Sequence, residues 1–323
     1  MKKLVLATAI AALSVTAAQA APTVYGKVFL TLDVAGGDDN SIYKDSRSQL
    51  NSNSSRIGLK GSEALTQNTD LVYQLEYGVD VDADDGKNFR SRDTYLGLSN
   101  KQYGTLLAGR LKAIDGRVDY ATVVDGGVLG GDSVLTAFDA PRANNTFAYV
   151  SPSYNGFTAS AMYTLDENNS TDSLGRDAAG VAVQYEPAGQ AYRAGASYIQ
   201  AGKQLKAIRV SGDYKLNGNT TVGALYQNTN LNTDNNENAI TVSASHKVAQ
   251  TPWTAYGQVD LVDNAKGLKD AETQRLAVGG KYAFNRNTTG HLYTAYLRSN
   301  DGKNVANSKA DAYGIGGGLE YKF

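Results

Sequence analysis

The sequence predicts an all-β fold, a transmembrane antiparallel up-and-down β-barrel of sixteen strands with a long third external loop folded into the lumen. Three observations carry this reading. The chain ends in D-A-Y-G-I-G-G-G-L-E-Y-K-F, where Tyr313, Ile315, Gly317, Leu319, Tyr321 and Phe323 share one side of a period-2 ladder. Ala312, Gly314, Gly316, Gly318, Glu320 and Lys322 share the other. An oily, aromatic face backed by a small or charged one suits a strand with lipid on one side and water on the other. Segments of about ten residues with this alternation, the length a tilted strand needs to cross a bilayer, recur along the chain, and the connections between them alternate short with long.

The beginning of the chain sets the compartment. Lys2 and Lys3 form a basic start, Leu4 to Thr16 is apolar or small, and Ala18-Gln19-Ala20 has the form of a cleavage site. Residues 1–20 therefore read as a signal peptide and residues 21–323 as one outer-membrane barrel domain. No other stretch approaches the roughly 18 uninterrupted apolar residues of a spanning helix. Cysteine is absent, so no disulfide is available to an exported chain, while 21 Tyr and 34 Gly suit many closely packed strands. Mean hydropathy is −0.37; a barrel tolerates this because every second residue faces water. Without Lys2 and Lys3, 29 basic side chains stand against 32 acidic ones, a net of −3 that argues against a nucleic-acid partner.

Taken in order, the alternating segments begin near residues 22, 54, 68, 89, 103, 143, 156, 177, 190, 204, 218, 237, 252, 272, 288 and 311. In the first, Val24, Gly26, Val28, Leu30 and Leu32 alternate with Lys27, Thr31 and Asp33; in the third, Leu71, Tyr73, Leu75, Tyr77 and Val79 alternate with Gln74 and Glu76. Later, Ile208, Val210 and Tyr214 face away from Arg209, Ser211 and Asp213, and Leu276, Val278, Tyr282 and Phe284 face away from Arg275 and Lys281. Seven short connections carry turn residues, such as Asn217-Gly218 and Pro187-Ala188-Gly189. Eight others are mostly long and polar. That count closes sixteen strands, and closure removes the edges that lipid would not tolerate; the boundaries leave room for fourteen or eighteen.

Residues 111 to 142 form the longest connection, and a loop of that length is either functional or a mobile external segment. It holds Asp115, Asp119, Asp125, Asp132 and Asp139, with glycine pairs at 126–127 and 130–131. Basic groups stand elsewhere in phase with the lumen. In S-R-I-G-L-K-G, outward Ile57 and Leu59 turn Arg56 and Lys60 inward; Arg142 alternates with outward Phe147 and Tyr149. Arg92 shares parity with Thr94 and Leu96, so its direction depends on whether the strand contains a bulge. Glu76 faces inward, where it balances basic groups or serves as an ordinary lumen residue.

S-R-I-G-L-K-G-S-E at 55–63, Y-L-G-L-S-N-K-Q-Y-G-T-L-L-A-G-R at 95–110, R-A-N-N-T-F-A-Y-V-S-P-S-Y-N-G-F at 142–157 and the terminal Y-K-F together resemble the general-diffusion porins of Gram-negative outer membranes. The resemblance implies a homotrimer in the outer membrane, among lipid and lipopolysaccharide. Each pore, narrowed by the third loop, would pass small hydrophilic solutes and ions passively, with no cofactor. It places the basic wall of the constriction on Arg56, Lys60, Arg92, Arg110 and Arg142. The P-E-F element of enterobacterial members is missing from this loop, so the opposing acids are assigned by mid-loop position alone, to Asp119 and Asp125. Five basic groups against two or three acids predict a weak anion preference.

Other chemistry finds little footing. Counted from Asp80, an EF-hand loop would need glycine and glutamate where Asp85 and Ser91 stand. His246 and His291 are far apart, and no G-x-S-x-G, H-E-x-x-H or phosphate-loop element accompanies them. An adhesin with a plugged lumen and a barrel enzyme using either histidine are the competing classes, and conductance separates them from a channel.

Overall fold

The computed structural model describes residues 21–41, 44–82, 88–127, 129, 134–165, 177–302 and 309–323; the proposed signal peptide and the center of the acidic 80–86 segment lie outside these. The strands are β1 (Thr23–Gly37), β2 (Arg47–Ser52), β3 (Arg56–Ala64), β4 (Thr69–Val79), β5 (Phe89–Asn100), β6 (Gly104–Lys112), β7 (Arg142–Val150), β8 (Phe157–Thr164) and β9 (Ala178–Tyr185). They continue as β10 (Tyr192–Ala201), β11 (Leu205–Lys215), β12 (Thr220–Asn230), β13 (Glu237–Lys247), β14 (Trp253–Asp263), β15 (Glu272–Ala283), β16 (Thr288–Asn300) and β17 (Lys309–Lys322). β2 and β3 both pair with β1, through its loop-side and turn-side halves respectively, so these 17 segments form sixteen staves. Each stave pairs antiparallel with its sequence neighbour, and β1 pairs with β17 to close the ring.

The seam is sealed by the last residue. Gly26 and Phe323 exchange backbone hydrogen bonds of 2.9 and 3.1 Å. Glycine is required there, since a Cβ on Gly26 would stand 2.3 Å from the Phe323 ring.

The expected alternation is present on both faces. Val24, Val28, Leu32 and Val34 of β1 are exposed to the outside, whereas Lys27, Phe29, Thr31 and Asp33 are buried on the inside. In β17, Tyr313, Ile315, Leu319 and Tyr321 are outside, and Ala312 and Glu320 are buried. Aromatic rings gather on the outer surface at the short-turn end, where Phe157 stacks on Tyr185, Trp253 meets Tyr282 edge-on, and Tyr321 lies beside Phe323. At the other end, the hydroxyls of Tyr163, Tyr198 and Tyr226 donate to Asp177, Gln200 and Asn238. Two aromatic belts bound the apolar band, as an amphipathic ring at a lipid–water boundary requires.

Seven short turns lie on one rim and eight connections on the other. The third of these, residues 113–141, opens with one turn of 3-10 helix, Ile114–Arg117. Its partners are inward-facing side chains. Ile114, Val118 and Phe138 join Ala178, Ala182, Ile199 and Ala207 in one apolar cluster; Val124 joins Tyr256, Ala277 and Tyr293 in a second. Small residues on the inner face make room for it, and a Cβ on Gly223 would come within 2.8 Å of the Tyr120 carbonyl oxygen. The loop is thus folded inside the barrel.

Candidate functional site in the barrel lumen

The third loop is held to the inner wall by polar contacts that run strand by strand. The Tyr120 N–H donates to Ser211 Oγ of β11 at 3.0 Å, the Val123 N–H to Gln258 of β14 at 3.0 Å, and the Gly127 N–H to Asn53, beside β2, at 3.1 Å. On the way back Leu129 accepts from Arg275 of β15, and Thr136 and the Ala137 N–H donate to Glu237 of β13 at 2.6 and 2.8 Å. The loop therefore runs out along the wall from β8 to β17, touches β1 and β2 at its far end, and returns. Among the described residues none of these contacts falls on the inner faces of β3 and β4, while on β5 Tyr95 packs against the loop's apolar cluster.

Two deeply buried arginines anchor it. Arg209 of β11 is 1% exposed; it donates to Gln227 at 2.7 Å, to the Asp115 carbonyl at 3.3 Å and to the Asp139 carboxylate at 2.8 Å. The Asp115 carboxylate lies 3.6 Å from the same guanidinium and accepts from the Ala140 N–H at 2.8 Å. Burial raises the Asp115 carboxyl above its ordinary value, with Arg209 pulling it back in part. Arg275, 2% exposed, pairs with Asp260 of β14 at 2.8 Å and reaches the Leu129 carbonyl.

The bare wall is where the basic residues gather. Glu76 of β4 is buried among three donors: Arg92 Nε at 2.6 Å, the Tyr25 hydroxyl at 3.0 Å and Arg56 Nε at 3.5 Å. Arg142 donates to Asp93 at 2.6 Å. Lys60 lies toward the short-turn end, its Nζ 5.0 Å from the Tyr25 ring. Arg110 donates to the Ser91 carbonyl at 3.1 Å and to the Asn144 side-chain oxygen. A cleft of about 330 Å³ is lined by Arg92, Arg110 and Arg142 together with Arg90, which sequence reasoning did not single out.

The direction of Arg92 is settled by a bulge. Leu75 pairs with Thr94 but Tyr77 pairs with Ser91, so Arg92 and Asp93 both stand opposite Glu76. Strict alternation would have sent Arg92 outward with Thr94 and Leu96; the extra residue brings it, and Asp93 with it, to lumen partners. A second bulge, between Gly109 and Leu111, breaks the phase that linked Arg142 to Thr146, and Asn145 there has φ +52°. Arg142 meets Asp93 from the far side of that irregularity.

The two mid-loop acids do not meet this basic wall. Asp119 accepts from the N–H groups of Ala121 and Thr122, both at 3.1 Å, and from the Thr122 hydroxyl, closing a local turn. Asp125 pairs with Lys281 of β15 on the opposite wall. The carboxylates that do meet the arginines, Glu76 and Asp93, come from the wall itself. Inward parity had marked Glu76, Arg209, Arg275 and Lys281, and only their partners were out of reach.

The histidines form no catalytic pair. His246 contacts Thr220 at 2.8 Å near the short-turn rim, and the buried His291 ring packs 4.5 Å from Phe29. Asp80 pairs with Arg90 at 3.7 Å and Asp82 accepts from the Ser52 N–H, while residues 83–87 lie outside the described set.

A family model described as Gram-negative porin matches residues 6–304. The major outer membrane protein P.IB of Neisseria gonorrhoeae is 26% identical, covering 97% of this chain and 98% of its own. An outer membrane porin protein of Bordetella pertussis is 28% identical over 94% of this chain and 70% of its own. Among solved structures, the anion-selective porin from Comamonas acidovorans superposes with a TM-score of 0.75 at 20% identity, covering 94% of this chain and 99% of that one. With a closed barrel, an inner face of polar side chains and a family match along almost its whole length, the chain belongs to the Gram-negative porins, outer-membrane channels through which small solutes diffuse passively.

Proposed function

We propose that the lumen is an electrostatic constriction with a weak anion preference, and that three copies of the chain assemble as a homotrimer among outer-membrane lipid and lipopolysaccharide. The supporting observation is the one-sided path of the third loop. It covers β8 to β17 and leaves the pore to run between the loop and the wall carrying Arg56, Lys60, Arg92 and Arg142, with Arg110 at that wall's edge.

Charge on the two sides is unequal. On the bare wall Glu76 is shared by two arginines and Asp93 offsets Arg142. On the loop side Asp115 and Asp139 share the single charge of Arg209, Asp125 pairs with Lys281 and Asp119 closes its own turn, so these acids are held away from the basic wall. A small anion passing between them meets net positive potential at short range, and a dipolar solute is oriented across the gap; both effects fade as salt screens them.

Single-channel recording under a KCl gradient tests this reading. Openings grouped in threes support the trimer, and a reversal potential of the sign set by chloride supports the basic wall. A cation-directed potential would reverse the selectivity assignment, and silence from a folded barrel would reject the open lumen.

A further inference from the structure

Behind the tip of the third loop, at the seam of the barrel, lies a buried carboxylate. Asp33 of β1 is 0% exposed and stands in one rung with Gly316 of β17 and Tyr293 of β16. The Tyr293 ring lies across Gly316, where a Cβ would come within 2.7 Å of it, and its hydroxyl donates to Asp33 Oδ1. Asp33 Oδ2 accepts from the Thr31 hydroxyl at 2.7 Å and from the side-chain nitrogen of Asn51 in β2 at 2.6 Å. Among the described residues, these three donors are neutral and no cation pairs with Asp33.

Burial of a carboxylate is unfavourable unless its oxygens are saturated with donors, and here that requirement fixes a direction. An ionised carboxylate accepts and never donates, and Thr31 has a single hydroxyl hydrogen. With that hydrogen on Asp33, the Thr31 oxygen is left as an acceptor. Asn53 Nδ2 donates to it at 2.8 Å and to the Asn51 carbonyl at 3.2 Å, which uses both amide hydrogens. The Asn53 oxygen is thereby turned to the loop, where it accepts from the Gly127 N–H at 3.1 Å.

The tip is shaped for this contact. Gly126 and Gly127 have φ of +69° and +115°, in the left-handed region. A Cβ on Gly126 would come within 2.7 Å of the Asn53 side-chain carbon, and one on Gly127 within 2.7 Å of the Tyr293 ring.

We propose that Asp33 and Thr31, which make no hydrogen bond to the loop among the described residues, are positioning residues that set the width of the pore. They act through Asn53, by turning its oxygen to the Gly127 N–H. This role rests on the narrowing of the pore by the third loop, proposed above, and adds what holds the tip at its distance from the bare wall.

The chain has no cysteine, so V124C gives a unique thiol beside the tip, at a position that is 5% exposed and packed with Tyr256 and Tyr293. In purified full-length protein with the heat-modifiable mobility of a folded barrel, its rate of reaction with a small water-soluble maleimide reads how often the tip lifts. T31V, T31S, D33A, N53A and the double variant T31V/N53A are placed in this background. Loss of one hydrogen bond corresponds to about fivefold in the lifted population. T31V, D33A and N53A are each expected to label about fivefold faster, and T31S, which keeps the hydroxyl, at the background rate. T31V/N53A is expected to label no faster than N53A, because Thr31 acts through Asn53. Background labelling of T31V or of folded D33A overturns the proposal. So does a T31S rate equal to that of T31V, or a double-variant rate equal to the product of the single effects. If D33A yields no folded barrel, T31V and T31S decide. In planar bilayers T31V is expected to show larger open-level current noise than T31S, and equal noise would overturn the assignment to pore width. A protein that conducts nothing fails the pore reading instead, and the labelling rates still decide the role of Asp33 and Thr31.

Discussion

Arg209 on β11 and Asp139 in the third loop are 70 residues apart in the chain and 2.8 Å apart in space. That contact, with Asp115 on the same guanidinium, fixes the loop where the inner wall is most deeply covered. Removing one partner of a buried ion pair leaves the others uncompensated and costs about 3 kcal/mol. Arg209→Gln is expected to lower the unfolding temperature and to free residues 113–141 for limited proteolysis from the external side. Protease resistance equal to the wild type would show that the apolar seat of Ile114, Val118 and Phe138 suffices alone.

Asp115 makes stability depend on pH. Its folded pKa is raised by burial, so the folded state favours the protonated carboxyl. The sign follows from linkage: stability is greatest below the ordinary aspartate value of about 3.9 and is lost as pH climbs from there through the raised value. Asp115→Asn keeps an acceptor for the Ala140 N–H and cannot ionise. Melting followed through the single tryptophan, Trp253, is expected to fall with rising pH more steeply in the wild type than in the variant. Parallel profiles would refute the assignment.

Glu76 holds down the charge of the bare wall. Replacing it by glutamine keeps an acceptor for one of Arg92 and Tyr25, which donate to different carboxylate oxygens, and removes the charge facing Arg56 and Arg92. A partly exposed pair is worth up to about 1 kcal/mol, so the chloride-to-potassium permeability ratio is expected to rise about twofold. The rise should shrink in 1 M salt, where screening acts within about 3 Å. Reversal potentials in dilute and concentrated KCl read this directly, and a shift toward potassium would contradict it.

Gly26→Val places a branched side chain where the Phe323 ring lies, with the first added carbon already 2.3 Å from it. Overpacking of this kind costs about 1–3 kcal/mol. The variant is expected to yield less heat-modifiable barrel and a lower melting temperature, and Phe323→Ala in the same chain should restore part of the loss. If the double variant were worse than either single one, the ring would be stabilising the seam by a route other than contact with Gly26.

Most of the wall was legible in the sequence, because lipid on one side and water on the other force a period of two. Tyr313 to Phe323 and Ile208 to Asp213 could be placed on their faces from that period alone. Bulges break the rule without announcing themselves: nothing in S-R-D-T-Y marks Asp93 as one residue too many, so the inward turn of Arg92 became visible only with its pairing to β4. The loop acids were harder still. Position along residues 113–141 says nothing about partners on β11 or β15, more than 60 residues further on. Mid-loop placement therefore pointed to Asp119, which closes its own turn, and not to Glu76 and Asp93 on the wall.

The third loop also joins parts of the barrel that are far apart in the chain. It is made before β8 to β17, the strands that hold it, so Asp115 and Asp139 exist before Arg209 does. Its far end rests on Asn53 beside β2 and on Tyr293 of β16, which are neighbours only after the last strand has met the first. The contacts at that far end therefore exist only in the closed ring. Seated there, the loop ties the beginning of the chain to its end from within.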